Sequence, residues 1–304
     1  MAIHVPPAIV RMVARPLGRL IFLPRAPWRA QRRALDLAFS WPGAPREISI
    51  TRTDLGGVST EILTPVRPGR RVLLYLHGGG YTVGSPRSHR ALAARLAGGL
   101  QAVTYVPDYR LAPEHRFPAA FDDCLAVYTA LVQDIRAGDQ IFVAGDSAGG
   151  GLSLALGVAA IQRSLPSPSG IGLLCPAIDW TSEALANVPR DKREPMLTPD
   201  LLQRFCDAYL NAEDRANPAA SPLLADLTGL PPLVIDTAGH DTLLGQSRRL
   251  AAEARKAGVT VRYREHAGMP HGFHCGAGLV KQADLALDEI AAALESLART
   301  RERS

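Results

Sequence analysis

Ser147 stands between two glycines, in Gly145-Asp146-Ser147-Ala148-Gly149, and that spacing fits a nucleophile for acyl transfer. An apolar, β-prone run from Ile141 to Ala144 leads in, and a small-residue helix start from Ala148 leads out. The glycines answer a steric demand. A strand that turns this sharply into a helix strains the nucleophile's backbone, and neighbours carrying a Cβ would collide. The hydroxyl is then presented beside a helix N-terminus, whose free N–H groups face a developing negative charge. Glycine-rich loops match the pattern by chance, so the flanking strand and helix carry its weight.

A serine hydroxyl is a poor nucleophile near neutral pH and needs a histidine base, oriented by a carboxylate on its other nitrogen. With this kind of turn the partners follow in the order acid, then histidine, on loops after strands. Asp236 and Asp241 compete for the acid. Asp236 lies within the run Leu233 to Thr237, where a sheet position is expected. Asp241 follows Ala238-Gly239-His240, past the strand end, and is the choice; it could also cap the helix that starts at Leu243. Among His240, His266, His271 and His274, the base is assigned to His271. Its loop, Gly268-Met269-Pro270-His271-Gly272-Phe273, is shaped by glycine and proline on both sides. His266, His271, His274 and Cys275 also invite a metal reading, but their spacing matches no zinc pattern, and no metal is expected.

Acyl transfer also needs donors for the oxyanion. His77-Gly78-Gly79-Gly80-Tyr81 follows an apolar run from Arg71, and its glycines let bare amides approach a charge. The amide of Ala148, next after the nucleophile, supplies another. A phosphate loop is the rival reading and fails on pattern: there is no GxxxxGK[ST], and no GxGxxG opens a helix here. His77 reads as a residue that shapes the loop.

The elements that must position these groups follow from periodicity. Glu47 to Thr53 and Val58 to Leu63 alternate as strands around Asp54-Leu55-Gly56-Gly57, which predicts a hairpin. Strands are expected at 71–77, 102–106, 141–144, 171–175, 233–237 and 259–265. Helices are expected at 88–100, 118–136, 148–163, 198–210, 243–257 and 280–298. This alternation means a mostly parallel sheet of about eight strands with helices on both faces. Two segments lack strands, 1–45 and roughly 176–221, and could fold together over the carboxyl edge of the sheet, where ligands bind in such folds.

Composition narrows the classes. The chain has 304 residues, 47% hydrophobic and 21% charged, with a formal charge of +5. Lysines occur only at 192, 256 and 281, and the arginines are spread among acids, which is unlike a nucleic-acid stripe. Cys124, Cys175, Cys206 and Cys275 are far apart without a CxxC, so buried reduced thiols are expected. Residues 1–24 hold no run of about 18 apolar residues and no signal-peptide h-region, so no integral membrane segment is expected and a cytoplasmic location is. Pro6, Pro7 and Pro16 break this stretch, while Ile9, Val10, Met12, Val13, Leu17, Leu20 and Ile21 fit an amphipathic helix. Packing on the protein's own surface is its plain reading; contact with a lipid surface is the sharper one.

HGGGY at 77–81, DYRLAPEHRFPAAFDD at 108–123, GDSAGG at 145–150, SPLLA at 221–225 and MPHGF at 269–273 together resemble the hormone-sensitive-lipase-like family of bacterial esterases, over about residues 46–290. The resemblance implies the α/β-hydrolase fold, with Ser147 as nucleophile, Asp241 as acid and His271 as base. It implies oxyanion donors from Gly79, Gly80 and Ala148, with Gly78 supporting. It also implies a helical cap at 1–45 and 180–215 over a core at 46–179 and 216–304. Tyr109, Arg110 and Glu114 would brace the loops around the site. Two departures fall at the acid: Thr242 stands where the family has proline, and Gly239 where an acidic residue is common. The expected activity is hydrolysis of small esters with short-to-medium acyl chains, without a cofactor. A lactone hydrolase with the same triad, or a small-molecule receptor on this scaffold, is the alternative. Family members are monomers or dimers, so a homodimer is among the expected states. Leu17, Leu20, Phe22, Trp28, Leu201, Phe205 and Tyr209 are candidates for an apolar acyl pocket or for the core of the cap.

Overall fold

The computed structural model describes residues 2–136 and 138–303, the last four of these as backbone only. Two helices come first, α1 (Pro7–Ile21) and α2 (Trp28–Phe39). The hairpin β1 (Ile48–Leu55) and β2 (Val58–Pro65) follows, closed by a turn in which Gly56 and Gly57 both have positive φ, with Leu55 paired to Val58. From there strand and helix alternate: β3 (Arg71–Leu76), α3 (Arg90–Leu100), β4 (Val103–Pro107), α4 (Ala119–Asp134), β5 (Gln140–Asp146), α5 (Ala148–Gln162) and β6 (Gly170–Leu174). The rhythm pauses for α6 (Ser182–Ala186) and α7 (Pro199–Tyr209). It resumes with β7 (Leu233–Ala238), α8 (Leu244–Lys256), β8 (Val261–His266) and α9 (Lys281–Arg303).

The strands form one eight-stranded sheet in the order β1-β2-β4-β3-β5-β6-β7-β8, antiparallel where β2 meets β1 and β4 and parallel from β4 to β8. This is the α/β-hydrolase fold. Strand alternation assigns the faces. Leu74, Leu76, Ile141 and Val143 pack with α4 and α5, whereas Leu73, Tyr75, Phe142 and Ala144 pack with α3 and α9. Helix α8 joins the first face through Leu250, against Ile171, Leu173 and Ile235. Because β3 and β5 to β8 run parallel, the loops after β3, β5, β7 and β8 share one edge of the sheet, and these loops carry the glycine run, Ser147, Asp241 and His271.

Helix α1 runs through Pro16, as the amphipathic spacing from Ile9 to Ile21 implies. Two sequence expectations change. The strandless stretch from 176 to 221 contains α6 as well as α7, capped by the Thr181 hydroxyl on the Ala184 amide. Thr198 caps α7 in the same way, with Pro199 in its first turn. Leu20, a pocket candidate, is exposed instead.

Candidate active site

Ser147 has φ 51° and ψ −117°, a strained conformation for a residue with a side chain, between the end of β5 and the first turn of α5. The strain is held by backbone bonds on both sides. Its N–H donates to Leu174 O at 2.8 Å, and its carbonyl accepts from Ala177 and Gly151 at 2.9 and 3.1 Å. Gly149 has no alternative, because a Cβ there would lie 1.9 Å from the Leu76 carbonyl oxygen.

The loops after β7 and β8 converge on this serine. His271 Nε2 lies 3.0 Å from Ser147 Oγ, and His271 Nδ1 lies 2.9 Å from Asp241 Oδ1. Asp241 is buried, and the same Oδ1 accepts the Leu243 amide at 2.8 Å, so the carboxylate also caps the approach to α8. Burial opposes a charge on His271. The charge and hydrogen bond of Asp241 outweigh it, with Glu194 and Asp146 adding to them, and the His271 pKa is raised above the ordinary imidazole value.

The glycine loop is tied down from below. Gly78 N–H and Tyr75 Oη–H both donate to Asp146 Oδ1, at 2.9 and 2.6 Å. His89 Nε2 lies 3.4 Å from the other oxygen of Asp146. Burial would raise the Asp146 pKa, but His89 and Tyr75 hold it down to about 2, so the carboxylate stays charged. His77 shapes the loop as anticipated. Its Nδ1 pairs with Gly78 O at 2.8 Å, and its ring stacks on Tyr109, whose hydroxyl donates to His77 O at 2.6 Å. Burial, with His89 nearby, lowers the His77 pKa to about 3 and keeps it neutral. Among the described residues, the amides of Gly79, Gly80 and Ala148 donate to no protein acceptor, whereas that of Gly78 is spent on Asp146.

A cavity of about 400 Å³ opens over Ser147, bordered by Gly79, Gly80 and His271. Its remaining wall is almost wholly apolar: Val10 and Leu17 of α1, Phe22, Leu201 and Phe205 of α7, and Phe273. Phe205 lies against Gly80, where a Cβ would meet its ring at 2.3 Å, and it contacts the rings of Phe22 and Trp28 at centroid distances of 5.8 and 5.9 Å. Of the other pocket candidates, Tyr209 packs into the core, where it stacks on Tyr81 at 3.8 Å, and half-buried Trp28 packs against that core. Glu114 binds Arg32 of α2, and Arg110 binds Asp123, so both brace loops beside the site.

The histidine cluster suggested by the sequence is divided among three carboxylates. His266 and His274 each lie 2.8 Å from Asp236, one on each oxygen, while His271 faces Asp241 and Cys275 lies with His89 and Asp146. All four cysteines are free thiols, and Cys275 is only half-buried.

Sequence reasoning missed Glu194. It falls in a charged run, 190–194, yet it is buried. Its Oε2 accepts the His271 amide at 2.7 Å, and its Oε1 accepts Met196 and Leu197 amides at 2.8 and 3.1 Å. Burial raises the Glu194 pKa, countered by His271 and these amides. Nothing in its spacing signals this role, because the partner is a backbone amide distant in sequence.

Known proteins resemble this chain in sequence and in fold. The family described as alpha/beta hydrolase fold matches residues 73–275. An acetyl-hydrolase of Streptomyces hygroscopicus is 37% identical over 237 residues, covering 78% of each chain. An esterase of Acinetobacter venetianus is 34% identical over 271 residues, covering 88% of this chain and 89% of that one. Among solved structures, an esterase of the bacterial hormone-sensitive lipase family superposes with a TM-score of 0.88 at 31% identity, over 97% of this chain and 100% of that one.

Proposed function

The chain belongs to the bacterial hormone-sensitive-lipase family of α/β hydrolases and is a carboxylic ester hydrolase; from that premise we propose that it cleaves small esters through Ser147, His271 and Asp241. The observation that carries this reading is the continuous relay from Ser147 Oγ through both nitrogens of His271 to Asp241, at 3.0 and 2.9 Å. Ser147 Oγ attacks the ester carbonyl while His271 Nε2 takes its proton. Asp241 holds the imidazole in the tautomer that leaves Nε2 basic and stabilises the cation that forms. The tetrahedral oxyanion is received by the unclaimed amides of Gly79, Gly80 and Ala148. His271 then protonates the departing alcohol, and water, activated by the same histidine, releases the acid.

The cavity supports the substrate class. Its volume lies at the small end for ligand pockets, and its apolar wall suits a short-to-medium acyl chain. Residues 1–45 and 180–215 act in this reading as a cap over a core at 46–179 and 216–304; α1 and α7 both contribute to the cavity wall. A receptor would have no use for a complete relay. The test is hydrolysis of p-nitrophenyl esters of increasing acyl length by the wild type and by Ser147→Ala. Rates should peak at short-to-medium chains and vanish in the variant; activity that survives Ser147→Ala would refute the mechanism.

A further inference from the structure

The outer face of α1 differs from the rest of the surface. Residues 2–35 contain arginines at 11, 15, 19, 25, 29, 32 and 33, and the first acidic residue of the chain is Asp36. Two neighbouring stripes of α1, at helical spacing, stay in solvent: Ala8, Met12, Arg15, Arg19 and Ile9, Val13, Pro16, Leu20. Met12 and Leu20 are each 67% exposed, and Leu23 extends the patch towards the exposed Arg25. Single exposed apolar residues need no explanation, but a contiguous patch on one helix does. Arginines interleaved with large apolar residues, with no acid among them, suit a helix that lies flat in a bilayer interface. The patch also runs into the site: Ile9 and Val13 belong both to this outer face and to the wall of the cavity above Ser147.

We propose that this face of α1 docks on an anionic lipid surface, with Met12, Leu20 and Leu23 among the headgroups and Arg15, Arg19 and Arg25 against lipid phosphates. An ester dissolved in the lipid then reaches Ser147 along Ile9 and Val13. A second copy of the chain is the competing occupant. A two-fold contact would set the patch against itself, with the arginines facing their own images and no acid within residues 2–35 to offset them. Lipid phosphates supply the missing complement. Docking rests on the surface alone; delivery of the ester rests on the function proposed above.

Vesicles of phosphatidylcholine with increasing fractions of phosphatidylglycerol, co-sedimented with the full chain carrying Ser147→Ala, test the docking without turnover. Binding should rise with the phosphatidylglycerol fraction and weaken as salt shortens the screening length to about 8 Å at physiological ionic strength. Adding Met12→Asp, Arg19→Asp and Leu20→Asp together should weaken binding at least about tenfold, since one arginine near such a surface is worth about fivefold and a buried leucine more. The same three changes on the wild-type background should leave hydrolysis of a water-soluble ester unchanged, which shows that the fold survives. Binding that ignores phosphatidylglycerol, or that survives the triple change, would overturn the proposal. So would a vesicle-free dimer, seen by light scattering, that the triple change dissociates. Intact docking beside a wild type inert towards esters would leave this proposal standing and sink the esterase mechanism instead.

Discussion

Below Ser147, backbone meets backbone. Gly149 is wedged against the Leu76 carbonyl, and Ser147 is fixed by the backbone of Leu174 and Ala177. Above it, side chains meet side chains: Phe205 between Phe22 and Trp28, Arg204 over the Trp28 ring, Tyr209 on Tyr81. Backbone contacts cannot be traded, because no substitution moves a carbonyl oxygen out of the way. Side-chain contacts can be exchanged for others of similar volume at modest cost. The contrast separates two tasks: the lower region holds the reacting groups, and the upper region shapes the space an acyl chain enters.

Substitutions can break this division or sharpen it. The largest effect belongs to the lower region. Ser147→Ala should reduce kcat by about 10⁶-fold, measured on a soluble p-nitrophenyl ester, while the melting temperature stays near that of the wild type. Asp241→Asn should follow at about 10⁴-fold, because the amide favours the wrong imidazole tautomer. Its neighbour provides the control. Asp236 is bonded to two histidines away from Ser147, so Asp236→Asn should cost stability, on the order of 3 kcal/mol by thermal unfolding, and far less turnover. If Asp236→Asn loses as much activity as Asp241→Asn, the assignment of the acid fails.

In the upper region, Phe205→Ala should lower stability by about 3 kcal/mol and widen the acyl-length profile, with KM affected more than kcat. A collapse of kcat on all chain lengths would show that the two regions are not separable. The smallest effect belongs to Glu194, which spans them. Turnover needs neutral His271, so the rate rises as pH passes upward through its raised pKa. The Glu194 carboxylate favours the imidazolium. Glu194→Gln should therefore lower that pKa and move the acid limb of the pH–rate profile to lower pH, whereas a merely structural loss would lower the rate without moving the limb.

Much of the architecture was legible because its signals are local. The hairpin at Gly56-Gly57, the N-caps at Thr198 and the strand-turn-helix at Ser147 each depend on residues within one turn of one another. Glu194 escaped for an equally physical reason: nothing in the spacing of 190–194 marks it, and only the packing of that segment against the histidine loop buries it.

The choice of Ser147, His271 and Asp241 as candidates came from residue type, order along the chain and position at strand ends, all of which a sequence carries. Which carboxylate each histidine meets did not. Asp236 and Asp241 are five residues apart and lie near the same sheet edge; the direction of β7 and the loop beyond it turn one towards His266 and His274 and the other towards His271. For the enclosure above Ser147, the sequence offered the two strandless segments but left open which of their apolar residues line it. That was decided where α1 and α7, from segments nearly 200 residues apart, come to border one cavity, and such proximity depends on distance in space, which spacing along the chain does not encode.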